Sequence, residues 1–299
     1  MTLPVALAVD LAGRSLLRTA DLAAAELEAI LDLTDELKAS PRNAHRPLVG
    51  RTVGLLFRKH STRTRVSLAA AVAQLGGTAI DLPDDQLQLA RGESLEDTAR
   101  VLSGYLDAIA IRTYEHAEVE RFAELGRIPV LNALTDEAHP LQALADVQTI
   151  RERLGSVDGV AVAWIGDGNN VCVSLAEACG LLGASFVCAS PAGYEPPGLP
   201  FVRDPREAVA GADVVVTDVW ASMGREAEHA ARLQAFAGYG VDADLLALAR
   251  PDAIVLHCLP AHPGEEISAD VLYGPRSAAW QAAENRLHTA KALLALTLQ

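Results

Sequence analysis

The 299-residue chain is poor in aromatic residues, at 4%, and holds two methionines and only four cysteines. Cys172, Cys179, Cys188 and Cys258 include no C-x-x-C pair, and four thiols in a chain of this length are too few for a disulfide scaffold, so a reducing, cytosolic compartment fits best. Long apolar runs are also missing. The longest charge-free stretches, such as Ala178–Tyr194, are broken by Gly180, Gly183 and Pro191 and fall short of the roughly 18 apolar residues that a membrane span needs, so a soluble protein is expected. The apolar start of the chain lacks a basic segment and is cut short by Asp10, which argues against an export signal. Basic residues are outnumbered, 25 against 39 acidic, and the resulting formal charge of -14 repels nucleic-acid backbones and anionic membrane surfaces.

What is present is enough apolar material for a sizeable core: 50% of the residues are hydrophobic and 21% are charged. After a helical pattern over Asp21–Lys38, β-rich runs recur at Val53–Phe57, Thr78–Leu82, Ala108–Thr113 and Pro129–Leu134, then at Val160–Ile165, Ser185–Ala189, Asp213–Val219 and Ile254–Leu259. Helical spacing separates them, and the runs are apolar enough to be parallel strands covered on both faces, which predicts an α/β fold. Eight such units fit either one closed barrel or two domains, each with a mainly parallel sheet flanked by helices. The helical pattern Leu141–Leu154 followed by Gly155-Ser156-Val157-Asp158-Gly159 reads as a helix, its stop and a fresh start. It favours the split, with domains at residues 1–150 and 151–299 and a terminal helix, 278–298, able to pack back on the first.

Chemistry concentrates in short segments. Arg58, Lys59, Arg63 and Arg65 fall within eight positions after the first strand, interleaved with Ser61, Thr62 and Thr64. At a strand-to-helix turn, hydroxyls, free N–H groups and the helix dipole converge, and arginine adds bidentate donors, so phosphate is the natural guest. A solvated helix cap with surface arginines is the plain alternative. Gly166-Asp167-Gly168-Asn169-Asn170 follows another strand and superficially suggests a dinucleotide fold. Val171 replaces the third glycine, however, and the next strand ends in Ala189-Ser190 where a ribose-binding acid would be needed, so no nicotinamide cofactor is expected. Zinc is not implied either, because His257, Cys258 and His262 are close in sequence but adjacent strand residues face opposite sides and no second ligand pair follows. Cys172 and Cys179 read as core.

The segment Phe57–Arg65 resembles the F-x-K-x-S-T-R-T-R carbamoyl-phosphate motif of the aspartate and ornithine carbamoyltransferase family. His139-Pro140-Leu141-Gln142 is similar to its H-P-x-Q element, Arg112 to its further carbonyl-binding position, and Glu284-Asn285-Arg286 to its E-N-R. The acceptor side resembles the ornithine type: Gly166–Asn170 matches G-D-x-N-N, Asp218–Gly224 matches D-x-W-x-S-M-G, and His257-Cys258-Leu259-Pro260 carries cysteine where aspartate-type members have proline. Members acting on putrescine or acylated ornithine depart from S-M-G. Arg91 stands where many members have lysine.

The resemblance, from about Phe57 to the C-terminus, implies carbamoyl phosphate on the first domain and ornithine on the second. Carbamoyl phosphate would be bound by Ser61, Thr62, Arg63, Thr64, Arg112, His139, Gln142, Cys258, Leu259 and Arg286, with Gln88 supplied by a neighbouring subunit. Ornithine would meet Asn170, Asp218, Ser222 and Met223, and Arg112, His139 and Cys258 would carry the catalysis. The δ-amine of ornithine then attacks carbamoyl phosphate to give citrulline and phosphate, without a cofactor, as in arginine biosynthesis or a urea-cycle-type step. A thiol facing a phosphate pocket would have a depressed pKa, making Cys258 a candidate proton acceptor. A cytoplasmic homotrimer, or a multiple of one, is expected. Carbamoylation of aspartate, putrescine or acylated ornithine, and a non-catalytic anion-binding subunit, are the alternatives.

Overall fold

The alternation of apolar strand and helix resolves into two open parallel sheets, so the single barrel is excluded. The computed structural model describes residues 9–40, 44–221 and 228–299. The chain forms two compact units. One combines the described residues up to Leu144 with Arg286–Gln299, and the other is Ala145–Asn285.

In the first unit, α1 (Ala24–Ala39) precedes β1 (Thr52–Phe57), α2 (Thr62–Gln74), β2 (Thr78–Pro83), α3 (Leu95–Leu102), β3 (Ala108–Arg112), α4 (His116–Leu125) and β4 (Val130–Leu134). The strand order is β2-β1-β3-β4, and all pairs are parallel. Val53–Phe57 and all of β3 are buried, as continuous apolar runs with helices on both faces require. The edge strand β2 is largely exposed. Registers Phe57↔Arg112 and Arg112↔Leu134 bring the carboxyl ends of three strands to one edge of the sheet. From β1 the order runs to β2 on one side and to β3 and β4 on the other. That reversal opens a crevice at the carboxyl ends of β1 and β3, the usual ligand position in such sheets.

α5 (Pro140–Leu154) begins in the first unit and ends in the second. The second unit continues with β5 (Ala161–Ile165), α6 (Asn170–Leu181), β6 (Ser185–Ala189), β7 (Phe201–Val202), α7 (Pro205–Val209), β8 (Val214–Thr217), α8 (His229–Ala235), α9 (Ala243–Leu246), β9 (Ile254–His257) and α10 (Ala269–Leu272). Its order, β7-β6-β5-β8-β9, is parallel throughout and reverses at β5, which puts the second crevice beside Gly166 and Asp218. Several of the scarce aromatics sit in the cores: Phe122 and Trp164 are fully buried, and Phe236 stacks on Trp220 at 5.5 Å. The last helix, α11 (Ala279–Thr297), starts in the second unit and ends in the first, where Thr297 accepts a hydrogen bond from the Gly13 N–H. Among the described residues, no helix is long and apolar enough to cross a membrane.

Two predicted strands end early. Asp213–Val219 narrows to Val214–Thr217 and Ile254–Leu259 to Ile254–His257, leaving Asp218, Cys258 and Leu259 in loops just beyond the sheet. β7 was not expected because two residues are too few for a period to register.

Candidate active site

At the carboxyl edge of the first unit, Ser61 adopts an extended backbone and caps α2, its Oγ accepting from the Thr64 N–H at 3.3 Å. A cap of this kind contributes about 1 kcal/mol and fixes where the helix starts. Thr62 and Arg63 then stand exposed on the first turn, whereas Thr64 is buried. Arg286 reaches in from α11, donating to Thr64 Oγ1 at 2.7 Å and to Gln142 Oε1 at 2.6 Å. Arg112 is buried at the end of β3 and His139 just before α5. A network holds the turn ahead of His139: Thr135 N–H donates to the Ala138 carbonyl at 2.9 Å, and Asn132 Nδ2 donates to the Leu17 carbonyl at 2.8 Å.

The positive island is smaller than its sequence suggests. Arg58 pairs with Glu118 and with Asp84 at 3.2 Å, Lys59 pairs with Asp136 while lying 4.2 Å from the Tyr114 ring centre, and Arg65 pairs with Asp81 at 3.2 Å. Arg63 and the buried Arg112 and Arg286 are the further cations at this edge of the sheet.

Burial, reinforced by Arg286 and Arg112, holds the His139 imidazole well below its ordinary pKa. His139 is thus neutral near pH 7 and offers a hydrogen bond without a charge. The same shift has a consequence for stability. Below about pH 6.5, the ordinary histidine value, the unfolded chain takes up a proton that the folded chain refuses, so stability is full above that pH and falls as pH drops toward the depressed value. His116, also lowered by burial and by Arg18, acts in the same direction. Urea midpoints measured from pH 7.5 to pH 5 should fall, and His139→Gln should flatten the slope by up to about 1.4 kcal/mol per pH unit. An identical slope in the variant would show that His139 is not the proton-linked group.

In the second unit, Gly166 leaves β5 with φ at +130°. A Cβ on Gly168 would lie 2.2 Å from the Pro196 nitrogen, so this glycine makes room for the chain's own backbone and not for a pyrophosphate. Ser190, at the position of a ribose-binding acid, donates instead to the Gly166 carbonyl at 2.6 Å. Asn169 caps α6 by accepting from the Val171 and Cys172 N–H groups and donates through Nδ2 to Asp218 Oδ2 at 2.8 Å. Asn170 lies beside it as the first residue of α6. Asp218 is buried, and its Oδ1 accepts from the Val219 N–H and from the Cys258 thiol, both at 2.8 Å.

Cys258 is half-buried, unlike Cys172, Cys179 and Cys188, which are buried as core. Burial pushes the Cys179 thiol up to about 12. Within its own unit Cys258 donates to the Asp218 carboxylate, and that hydrogen bond requires the thiol to carry its proton. Leu259 follows with φ at +58°, a left-handed conformation that costs a branched residue on the order of 1–3 kcal/mol. His257 Nδ1 offsets this by accepting the Leu259 N–H at 2.8 Å.

Asp218, His257 and Cys258 bring one ligand atom each within 4.8 Å of one another. The expectation that His257 and Cys258 point apart therefore fails, because Cys258 lies past the strand end, where alternation stops. Hydrogen bonds already engage all three donors. His262, Glu265 and Glu266 form a similar group.

Among the expected residues, the structure thus joins Thr64, Gln142 and Arg286 by hydrogen bonds, with Arg112 and His139 close enough to couple electrostatically. It joins Asp218 to Cys258, whereas Gln88 is exposed on a short 3-10 turn, Gln88–Arg91. Ser222 and Met223 lie outside the described residues. Two contributors were missed from sequence. Asn169 ties the glycine turn to Asp218, and buried Arg232 braces that turn through Asp167 Oδ2 at 2.6 Å and the Trp220 carbonyl at 2.7 Å. The Asn-Asn pair was the available signal for the first, while nothing local marks a partner 65 residues away.

Comparison with known proteins gives two domain matches. Residues 14–152 match the aspartate/ornithine carbamoyltransferase carbamoyl-P binding domain, and residues 158–297 match the Asp/Orn binding domain of the same family. The chain is 53% identical to an ornithine carbamoyltransferase of Acidothermus cellulolyticus, over 95% of this chain and 96% of that one. Among solved structures it is similar to the ornithine carbamoyltransferase of Pyrococcus furiosus, with a TM-score of 0.92, 48% identity and coverage of 97% and 98% of the two chains. It is also similar to an anabolic ornithine carbamoyltransferase of Campylobacter jejuni, with a TM-score of 0.89, 35% identity and coverage of 94% and 97%.

Proposed function

The chain belongs to the aspartate/ornithine carbamoyltransferase family, and we propose on that basis that it transfers the carbamoyl group of carbamoyl phosphate to the δ-amine of L-ornithine, giving L-citrulline and phosphate. The observation that carries the choice of acceptor is the Cys258–Asp218 hydrogen bond, which joins the two ornithine-type motifs at one carboxylate. Ornithine brings two ammonium groups and one carboxylate, and aspartate the reverse. A buried acid therefore attracts the first and repels the second.

In this reading the start of α2, with Ser61, Thr62, Arg63 and Thr64, holds the phosphate, and Arg286 sets the Thr64 hydroxyl. Arg112 supplies charge, and neutral His139 a hydrogen bond, where negative charge develops on the carbamoyl oxygen. Gln142 fixes Arg286. Cys258 and Leu259 complete the carbamoyl contacts, while Asp218 takes the α-ammonium of ornithine and Asn170 assists. The δ-amine, with a free pKa of roughly 10, must lose its proton before it attacks. The chemistry needs no cofactor: one C–N bond forms, one C–O bond breaks, and phosphate leaves with the electron pair. Colorimetric ureido-product formation with ornithine, aspartate, putrescine and acetylornithine offered separately tests the reading. Faster turnover of any other amine than of ornithine overturns it.

We further propose that the enzyme works in the cytoplasm on the route to arginine, which four cysteines outside any disulfide support, and that it assembles as a trimer or a multiple of one. Exposed apolar side chains on the first unit support assembly: Val49 is 64% exposed, Val66 59% and Tyr105 73%. Exposed Gln88 is available to complete a neighbour's phosphate site. Co-expression of Gln88→Ala and Arg63→Ala chains, each strongly impaired alone, should give activity above that of either variant, because a mixed trimer contains a site with both residues intact. Hetero-oligomers that form yet stay inactive would end the shared-site reading.

A further inference from the structure

The carboxylate of Glu266 is fully buried 3.1 Å from His257 Nε2, although none of the family motifs includes it. Its position is built. The Glu266 carbonyl accepts the Val241 N–H at 2.9 Å, and Val241 and Ile267 form an isolated parallel bridge, so the backbone carrying the carboxylate is pinned. Oε1 also accepts the His262 N–H, while Oε2 is buried without a hydrogen-bond partner among the described residues. A buried carboxylate with one oxygen unsatisfied is costly, and an apolar side chain would fill the space more cheaply.

The tautomer of His257 follows from its neighbours. The Leu259 N–H can only donate, so Nδ1 must present a lone pair, and the proton of the neutral ring sits on Nε2, where it donates to Glu266. The opposite tautomer would set an N–H at Nδ1 against the N–H of Leu259 and release the left-handed turn. Cys258 lies between the two residues that this contact ties together, and its thiol is aimed at Asp218.

We propose that Glu266 is a positioning residue for the acceptor side of the reaction: it fixes the His257 tautomer, which holds Leu259 in its left-handed conformation and so sets the direction of the Cys258 thiol against Asp218. The proposal rests on the ornithine reading above, but its test can be read with any amine the enzyme carbamoylates.

Glu266→Ala should lower kcat at least tenfold while the KM for carbamoyl phosphate moves less than threefold, because in the proposed reading the phosphate group is held by Ser61, Thr62, Arg63 and Thr64 of the other unit, and Cys258 and Leu259 meet only the carbamoyl end. Glu266→Gln keeps an acceptor oxygen for Nε2–H and should retain at least half of the wild-type kcat. His257→Asn, whose Oδ1 replaces Nδ1 as the acceptor for Leu259, removes the group on which Glu266 acts. In that background Glu266→Ala should cost no further activity. Additive losses, or a Glu266→Ala enzyme that melts earlier but turns over normally, would overturn the proposal and leave Glu266 a packing residue. If Glu266→Ala yields no folded protein, Glu266→Asp, which withdraws the carboxylate by one methylene, should lower kcat at least fivefold, and normal turnover there would overturn it equally. A wild-type enzyme that prefers another amine would refute the ornithine reading and still permit these kcat comparisons.

Discussion

Arg63→Ala is expected to lower kcat/KM for carbamoyl phosphate by a factor of about 30 to 4000 while the urea midpoint stays where it was. The range follows from the roughly 2–5 kcal/mol lost when one partner of a desolvated, hydrogen-bonded charge pair is truncated, at about 1.4 kcal/mol per tenfold. The separation between activity and stability follows from the position of Arg63, exposed on the first turn of α2, where truncation costs the fold at most about 0.5 kcal/mol. No neighbour can take over its role. Arg58, Lys59 and Arg65 are each committed to acids, and moving any of them to the phosphate would break an ion pair. Arg286 offers no comparable separation, since it is buried and its loss would strand Gln142 Oε1 and the Thr64 hydroxyl. Initial rates with saturating ornithine and varied carbamoyl phosphate, run beside urea unfolding, measure both quantities. Near-normal kcat/KM would remove Arg63 from the phosphate site.

This contrast shows where the sequence was readable and where it was not. The parallel strands announced themselves because each is a continuous apolar run, and the motif residues followed because each stands at a strand end or a helix start. The partners of those residues were not visible. Asp136 lies 77 positions from Lys59, and Asp81 and Glu118 lie in other βα units from the arginines they neutralise, so the size of the positive island could be learned only from the fold. The glycine turn was misleading for a related reason. Gly166 and Gly168 do look like a dinucleotide loop, but the backbone that fills the space above Gly168 comes from Pro196, further along the chain than any local pattern reaches. Strand ends were overextended because composition continues past the point at which hydrogen bonding stops, and Leu259 turns left-handed in a segment that reads as β.

The loop position of Asp218 makes it the residue whose replacement should most damage the acceptor side. Its three hydrogen-bond partners among the described residues, the Asn169 amide, the Val219 N–H and the Cys258 thiol, are all donors, and they divide between its two oxygens. Only a carboxylate accepts on both sides. Asparagine has the same shape but must turn an NH2 toward one set of donors, so Asp218→Asn sets donor against donor at a buried position and also removes the charge proposed to meet the ornithine ammonium. Loss of a charge-assisted contact and an unsatisfied buried donor each cost about 2 kcal/mol, which together lower kcat/KM for ornithine by roughly three powers of ten. Carbamoyl-phosphate affinity, measured by equilibrium binding without ornithine, should change less than threefold, because the phosphate anchors belong to the first unit. Equal losses for both substrates would point to general damage to the second unit. An Asp218→Asn enzyme with ordinary ornithine kinetics would show that this carboxylate serves only to hold its loop, and the choice of ornithine would then have to rest on other groups.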